Sequence, residues 1–437
     1  MRNGGGGVVA AMDPGIVLLG LFLILLVLRV PIAVSLGIAG MVVVYLSGLG
    51  SAMFAPVFFA NISKFSLLAI PFFILAGVIM GKAQISDKII RLISLIVGPI
   101  RGGLAVVTVI TALFWGAVSG SGPATVAALG TILIPGMVKE GYDKGFAAAL
   151  MSASSGLAII IPPSIAFIVY GVITGASIGK LFIAGIVPGI VVGLFLIIAA
   201  FLISVARDYR GGAFGKLSEV WRAFKEAFWG LIAPIIILGG IYGGIFTPTE
   251  AAAVAVVYGL FVGFVVYRTL TFKDLYDLLV ESCVASAVVM LVVSLAGIFG
   301  WAMTTLGVVE KVSQAAVAMS SNQYVVLLII NVVLIIAGML LDAISIYYIL
   351  TPLLMPIMAH FGWDPIWFGV VMCVNLAIGQ VTPPVAVNLY VGANVAKISM
   401  DEISRAVVPF VVASIAALIV ITYVPALSTW LPNLLMP

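Results

Sequence analysis

Two proline pairs interrupt apolar stretches of this chain and mark its chemically distinctive segments. One pair lies in IIPPS (160–164) and the other in GQVTPPVAVN (379–388). Proline lacks a backbone N–H, so it removes a helix hydrogen bond and frees carbonyl oxygens. Freed carbonyls, together with the hydroxyls of Ser119 and Thr382, suit a hard monovalent cation. Helix N-termini that face such a gap suit an anion.

Asp342 is the carboxylate that lies deepest in an apolar block, in GMLLDAISIYY (338–348). An acid within a membrane segment is treated as functional by default. Capping of a half-helix by Asp342 is the structural alternative, and the two roles are compatible. Gln380 and Asn388 either bind ligand or satisfy free backbone groups, and the sequence leaves both open.

The composition identifies the kind of protein that positions these residues. Of 437 residues, 64% are hydrophobic and 8% are charged, and the mean hydropathy is +1.33. Charged residues make up about a quarter of a soluble domain. Uncharged runs long enough to cross a bilayer recur along the chain. We therefore predict an all-α polytopic membrane protein.

The apolar runs predict ten spans and two re-entrant helical hairpins. The block between Arg101 and Lys139 is too short for two spans with a loop, and its centre is rich in turn formers. An amphipathic stretch at 82–98 is typical of a helix lying along the membrane interface. The hairpins are at 102–138 and 324–359, and the spans are at about 14–28, 31–48, 66–80, 145–179 (broken), 181–205, 230–246, 250–267, 282–305, 365–396 (broken) and 406–428.

Positive charges predict the orientation. The Lys and Arg clusters can all be cytoplasmic only if the first hairpin opens to the cytoplasm and the second opens to the outside. Both termini are then periplasmic. Lys64, Lys180 and Lys311 are the exceptions. The predicted cytoplasmic charges are Arg29, Lys82 to Arg101, Lys139 with Lys144, Arg207 to Lys225, Arg268 with Lys273, and Lys397 with Arg405.

A shift of 221 residues aligns the two halves of the chain without gaps. Opposite orientations of the halves make this an inverted repeat, which is typical of secondary transporters with sites at broken helices. A proline pair can also be a packing kink, but two symmetric pairs, each beside a polar hairpin tip, favour a site. The shift maps Pro135 onto Pro356, Gly141 onto Gly362, Asp143 onto Asp364, Pro162 and Pro163 onto Pro383 and Pro384, Gly171 onto Gly392, and Pro188 onto Pro409.

The motifs FWGAVSGSGPATVAALG (114–130), IIPPS with IVYG (160–171) and GQVTPPVAVNLYV (379–391) carry a family resemblance. From about residue 14 to 434, the chain resembles the large membrane (M) subunit of tripartite ATP-independent periplasmic (TRAP) transporters, within the ion transporter superfamily. This resemblance implies sodium-coupled import of organic anions, such as C4-dicarboxylates or sialic acid, by an elevator motion. It also implies a bacterial inner-membrane location, a small four-helix membrane (Q) subunit and a soluble periplasmic substrate-binding (P) protein.

The resemblance further implies two or more coupling Na⁺ ions, no organic cofactor and a set of site residues. Ala158 stands where the family is expected to have glycine. Asp342 joins the cation-binding candidates, and the four prolines form the helix breaks. The implied first sodium site is Gly116, Ser119, Ala158, Ile161 and Pro163; the second is Gly338, Gly379, Thr382 and Val385; and the substrate residues are Ser121, Gly122, Ala343 and Ser345.

The resulting domain organisation alternates scaffold and transport elements. We expect a flexible N-terminus (1–13), scaffold helices with an interfacial arm (14–101), a first transport repeat (102–180), further scaffold helices with a second arm (181–322), a second transport repeat (323–397) and a C-terminal scaffold helix (398–437).

Four other functions remain as alternatives. A stand-alone sodium-coupled anion or dicarboxylate carrier of the same superfamily is the principal one. A primary pump is disfavoured because the chain has no GxxxxGK[ST] motif. An intramembrane enzyme is disfavoured by the single histidine, His360, and the lack of a nucleophile–base pair. A channel is distinguished from a carrier by its transport kinetics.

Overall fold

The computed structural model describes residues 13–209, 211 and 215–436. Most of the predicted flexible N-terminus therefore lies outside the described residues. The described chain is helical, as expected for an apolar sequence whose backbone must satisfy its own hydrogen bonds in lipid. The helices are α1 (Pro14–Val27), α2 (Ile32–Val44), α3 (Phe54–Ile62), α4 (Ala69–Lys82), α5 (Ile85–Val97), α6 (Gly103–Ser119), α7 (Gly122–Lys139), α8 (Lys144–Ser155), α9 (Leu157–Ile160), α10 (Ile165–Thr174), α11 (Ile178–Ala206), α12 (Leu217–Tyr242), α13 (Pro248–Phe261), α14 (Phe272–Thr305), α15 (Val308–Met319), α16 (Gln323–Leu340), α17 (Ala343–Phe361), α18 (Pro365–Gly379), α19 (Val387–Ala396), α20 (Met400–Tyr423) and α21 (Ala426–Leu435).

Within the described residues, ten helices are long and apolar enough to cross a membrane, or up to eleven if the bent α8–α10 segment is one span. The number matches the ten predicted spans, but the members differ. The set of ten includes the hairpin helices α7, α16 and α17. It leaves out α1, whose 14 residues reach only about 21 Å. The chain is therefore a polytopic membrane protein, while re-entry of the hairpins stays a prediction.

Several helix boundaries differ from the sequence-based ones. α3 was not predicted, and α12 begins at Leu217, inside the predicted basic loop. α14 begins at Phe272, ten residues before the predicted span, because Thr271 and Asp274 cap its first turn reciprocally. The Asp274 carboxylate accepts the Thr271 N–H at 2.9 Å. Such a cap stabilises a helix start even where the following residues are polar.

The predicted amphipathic helix is present as α5. It packs against α12 and α6 through a buried face that includes Ile85 and Ile89. A Cβ placed on Gly230 of α12 would lie 2.6 Å from Ile85 Cγ2, so glycine permits this close contact. Arg91 and Glu226 add an ion pair of 2.9 Å between the two helices.

Residues paired by the 221 shift occupy equivalent structural positions. Gly141 and Gly362 both have positive φ, +88° and +67°. Asp143 and Asp364 cap the next helix by accepting N–H groups at 2.8 Å and 2.7 Å. Both proline pairs contain a cis peptide bond. The two halves thus share one order: a helix pair (α6–α7 or α16–α17), a broken helix (α8–α10 or α18–α19) and a long helix (α11 or α20).

Candidate functional site

The first broken helix is interrupted where the sequence predicts. α9 ends at Ile160, a non-helical segment containing Pro162 and Pro163 follows, and α10 begins after Ser164. The Ser164 hydroxyl accepts the Phe167 N–H at 3.4 Å and donates to the Ile159 carbonyl. Residues 161–164 are all buried. The non-helical backbone therefore lies within the protein, as an apolar environment requires.

The α6–α7 turn lies directly against this first break. A Cβ on Gly116 would be 2.9 Å from Ala158 Cα. Gly120 has a φ of +60°, and its Cβ would be 2.9 Å from the Pro163 carbonyl oxygen. Only glycine allows backbones to approach so closely. The structure thus brings together Gly116, Ala158 and Pro163, three candidates for the first sodium site.

Ser119, a fourth candidate, is hydrogen-bonded within the turn. Its hydroxyl lies 2.9 Å from the Thr125 hydroxyl and 3.1 Å from the Ser121 carbonyl, and it accepts the Ser121 N–H at 3.2 Å. These bonds fix the geometry of the turn beside the break. Ile161, the fifth candidate, lies in the buried non-helical segment itself.

The second break has an equivalent contact with the α16–α17 pair. A Cβ on Gly379 would lie 2.5 Å from Gly338 Cα, and a Cβ on Gly338 would lie 2.9 Å from Gly379 Cα. The Val385 N–H donates to the Met339 carbonyl at 3.2 Å. Gly338, Gly379 and Val385, three candidates for the second sodium site, therefore meet at this contact.

The second break is more exposed than the first. Residues 380–386 separate α18 from α19. Pro384 and Val385 are exposed, and the exposed fraction of Val385 is 38%. The Thr382 hydroxyl donates to the Ile378 carbonyl at 2.7 Å. Because that bond uses the hydroxyl hydrogen, the lone pairs of the Thr382 oxygen remain free for a cation.

Asp342 caps the N-terminus of α17. Its Oδ1 accepts the N–H groups of Ile344 and Ser345 at 3.0 Å each, and the Ser345 hydroxyl donates to Oδ2. The capping alternative is therefore confirmed. Ser345, predicted to bind substrate, is held by Asp342, while Ala343 is the first residue of the helix.

A cavity of about 510 Å³ is lined by the α6–α7 turn together with residues of α4 and α14. Ser121, a predicted substrate residue, lines it together with Ser119. Ala343 and Ser345 are not among its lining residues, so this cavity does not bring the four predicted substrate residues together. Its walls are mostly apolar, and the charged residues among those lining it are Lys82 and Glu281.

Sequence reasoning missed Lys82 and Glu281 as cavity residues. Lys82 Nζ lies 3.1 Å from Asp274 Oδ1, and this ion pair connects α4 to α14. The available signal was a charge at the end of an otherwise apolar helix. Such a charge usually marks the membrane boundary, so nothing in the sequence indicated that Lys82 lies at a cavity.

A buried polar network was also missed. Asn375 of α18 donates to Asn331 of α16 at 2.7 Å, and Asn331 donates to Thr422 of α20 at 3.2 Å. The network joins one hairpin helix, one broken helix and one long helix. Asparagines inside apolar runs were its sequence signal, since such side chains seek partners across helices in membranes.

A family model described as the DctM component of the tripartite ATP-independent periplasmic transporter matches residues 19–427. The chain belongs to this DctM family. Relatives of the DctM chain include the C4-dicarboxylate TRAP transporter large permease protein DctM of Vibrio cholerae, 39% identical over 94% of this chain and 96% of that protein. The sialic acid TRAP transporter large permease protein SiaM of the same species is 36% identical over 86% of this chain and 88% of that protein.

A third relative of this DctM chain is the isethionate TRAP transporter permease protein DctMQ of Oleidesulfovibrio alaskensis. It is 45% identical over 95% of this chain, which spans 66% of that longer protein. The crystal structure of the YdaH transporter of Alcanivorax borkumensis superposes with a TM-score of 0.63, covering 96% of this chain and 100% of that one. At 15% identity, this similarity concerns the fold alone.

Membership of the DctM family confirms the resemblance seen in the motifs. This DctM chain is the large membrane subunit of a TRAP transporter, and its named relatives are transport permeases.

Proposed function

We propose that this DctM chain imports organic anions by sodium-coupled secondary transport, together with a Q subunit and a periplasmic binding protein. The observation that carries the proposal is a pair of equivalent contacts. Gly116 lies against Ala158, and Gly338 lies against Gly379, each where a helix pair meets a broken helix. At both contacts the backbone of a hairpin helix approaches the backbone beside a break, which supports two matching cation sites.

Each contact would supply the oxygen ligands that a sodium ion prefers. The first set is Gly116, Ser119, Ala158, Ile161 and Pro163, and the second is Gly338, Gly379, Thr382 and Val385. Carbonyl and hydroxyl oxygens are hard ligands without net charge, suited to reversible binding of a monovalent ion. A sodium ion held between a hairpin end and a break would hold the two segments together, so its release would loosen the hairpin.

Asp342 supports the second cation site from the tip of the α16–α17 pair. It lies four residues beyond Gly338 and is half-buried. Its charge stabilises the N-terminus of α17 through the cap. We propose that the same charge also raises cation affinity at the neighbouring second site.

The anion would bind at the N-termini of α7 and α17. Ser121 and Gly122 begin α7, and Ala343 and Ser345 lie in the first turn of α17. The first N–H groups of α7 have no partner within the helix and carry partial positive charge. At α17 the Asp342 carboxylate already accepts two N–H groups of the first turn, so the α7 end would hold the charged group of the anion. Relatives are named for C4-dicarboxylates, sialic acid and isethionate. Because isethionate is a sulfonate, we extend the proposed substrate class from carboxylates to organic oxyanions.

Transport would proceed by an elevator motion in which residues 102–180 and 323–397 move against the remaining helices. The cavity between the α6–α7 turn and helices α4 and α14 supports such a boundary, because packing there is incomplete. The name DctMQ of one relative supports a Q partner. We place the complex in a bacterial inner membrane with both termini periplasmic and the hairpins opening to opposite sides.

Reconstitution in liposomes tests this function. We expect an inward sodium gradient to drive anion uptake only when the Q subunit and the liganded binding protein are both present. Uptake by this polypeptide alone, without a binding protein, would refute the tripartite assignment and favour a stand-alone carrier. Unchanged uptake after replacement of sodium by choline would refute sodium coupling.

A further inference from the structure

Gln380 and Asn388 flank the second break and are brought together by its backbone. The Asn388 N–H donates to the Gln380 carbonyl at 3.1 Å, which closes the loop 381–387. The side chain of Asn388 is fully buried, and Gln380 is 8% exposed. Two amide side chains therefore lie at the base of one loop, inside the protein.

The polar ends of both side chains face Gly122, the first residue of α7. A Cβ on Gly122 would lie 2.7 Å from Asn388 Nδ2, 2.9 Å from Asn388 Oδ1 and 2.9 Å from Gln380 Oε1. All three atoms are buried without a hydrogen-bond partner among the described residues. None of these three atoms satisfies a free backbone group in the described structure, which favours ligand binding over the backbone alternative.

Buried polar atoms without partners destabilise the folded state, and natural proteins rarely keep them without a reason. The N-terminus of α7 adds further unpaired groups at the same place. Its N-cap, Ser121, makes no side-chain capping bond within the described structure. The N-terminus of this 18-residue helix carries partial positive charge. Donors and acceptors from two elements therefore converge around Gly122.

We propose that Gln380, Asn388 and the N-terminus of α7 bind the oxyanion head group of the transported anion, and a hydroxyl or keto group beside it. This inference rests on the proposed function and adds two residues to its anion site. The Asn388 NH₂ and the α7 amides donate to the oxyanion. The carbonyl oxygens of Gln380 and Asn388 accept from a neighbouring hydroxyl, and a half-turn of either amide presents its NH₂ instead.

The helix N-terminus argues for an anion rather than a third cation at this position. Its partial positive charge favours an oxyanion and disfavours sodium. Glycine at position 122 permits this close approach, because an added Cβ would lie 2.7–2.9 Å from all three amide atoms. The described position of the α7 end leaves no room for a ligand against these amides, so the anion binds when that end is displaced from the loop.

Isosteric apolar substitutions separate ligand binding from structure. Asn388→Leu and Gln380→Met keep the side-chain size and remove the polar atoms. Asn394→Leu is the matched control, because Asn394 lies on the same helix and is exposed. Asn388→Asp places a carboxylate opposite the bound oxyanion. Thermal melting of the purified membrane complex reports folding, and we expect Asn388→Leu to melt at or above the wild-type temperature because unpaired polar atoms are removed.

The readout is equilibrium binding of radiolabelled succinate, isethionate and N-acetylneuraminate to the M–Q complex at saturating sodium. For whichever probe the wild type binds, we expect Asn388→Leu and Gln380→Met to weaken binding about 10- to 100-fold, the loss of one hydrogen bond to a charged group. We expect Asn388→Asp to abolish binding and Asn394→Leu to leave it unchanged. The probe that binds distinguishes a carboxylate from a sulfonate.

Two results would overturn this inference without affecting the proposed function. One is that folded Asn388→Leu binds the anion within twofold of the wild type. The other is that the substitutions change only the sodium concentration for half-maximal binding and leave the anion affinity unchanged. Absence of sodium-driven uptake by the wild-type tripartite system would remove the proposed function, and this inference with it.

Discussion

Alanine at Gly338 or Gly379 tests the contact between α16 and α18 most sharply. The new Cβ on Gly379 would lie 2.5 Å from Gly338 Cα, and the Cβ on Gly338 would lie 2.9 Å from Gly379 Cα. Ordinary carbon–carbon contacts are about 3.5–4.0 Å. The helices must therefore separate by roughly 1–1.5 Å for Gly379→Ala and by roughly 0.6–1.1 Å for Gly338→Ala. Because both neighbours are backbone atoms, no side-chain rotation relieves the overlap.

The magnitude follows from the strain of overpacking, which is about 1–3 kcal/mol. If the strain falls on the sodium-bound state, where hairpin and break are closest, the half-saturating sodium concentration rises about 5- to 150-fold, since each 1.4 kcal/mol is tenfold. We expect the larger rise for Gly379→Ala because its overlap is greater.

The assay is sodium-dependent uptake in proteoliposomes that contain the Q subunit and the binding protein, titrated from low to saturating sodium. Gly239→Ala in α12 and Gly20→Ala in α1 are matched controls, because no described atom lies within 4 Å of either added Cβ. Alanine favours a helix interior over glycine by about 1 kcal/mol, so both controls should fold well. If Gly338→Ala and Gly379→Ala show the same half-saturating sodium as Gly239→Ala, the contact does not form a sodium site.

Three further substitutions test the same sites. Thr382→Ala removes a hydroxyl oxygen and should raise the half-saturating sodium severalfold, whereas Thr382→Ser should restore it; an unchanged sodium titration in the alanine variant means that the second site is misplaced. Asp342→Asn keeps one capping carbonyl but removes the charge, so sodium coupling should fall more than thermal stability; normal sodium-driven uptake would remove Asp342 from the mechanism. Gly116→Ala places a Cβ 2.9 Å from Ala158 Cα and should weaken sodium binding at the first site, as Gly338→Ala does at the second; a wild-type titration would show that the two contacts are not functionally equivalent.

Residues that the 221-residue shift aligned in the sequence mark equivalent helix ends in the structure. Gly141 and Gly362 end helices at positive φ, and Asp143 and Asp364 start the next helices as caps. These features depend on one or two residues and their immediate neighbours. The positions of both breaks, the helix pairs beside them and the 221-residue repeat were therefore predicted correctly.

The unequal burial of the two breaks was not predicted, because it depends on distant residues. Gly185 and Gly189 of α11 pack onto the first break; a Cβ on Gly185 would lie 2.4 Å from the Ile160 carbonyl oxygen. The 221 shift maps these glycines onto Ala406 and Phe410 of α20. Phe410 instead packs on Phe146, with ring centroids 5.6 Å apart. Two breaks with similar sequences thus have different environments.

The sequence also did not predict which groups the buried polar side chains would face. Gln380 and Asn388 were recognised as unusual, but their convergence on Gly122 depends on how α7 packs against α19. The same holds for the Asn331–Asn375–Thr422 network, whose members are up to 91 positions apart. Pairing across helices is set by tertiary packing, which one sequence does not specify.

We propose that sodium lies between each hairpin end and the broken helix beside it. Cryo-electron microscopy of the M–Q complex in sodium and in choline measures this directly. We predict density in sodium at the Gly379–Thr382–Val385 break, within coordination distance of its carbonyls, and a loosened α16–α17 tip in choline. Identical maps in the two salts, with those carbonyls facing no ion, would contradict it.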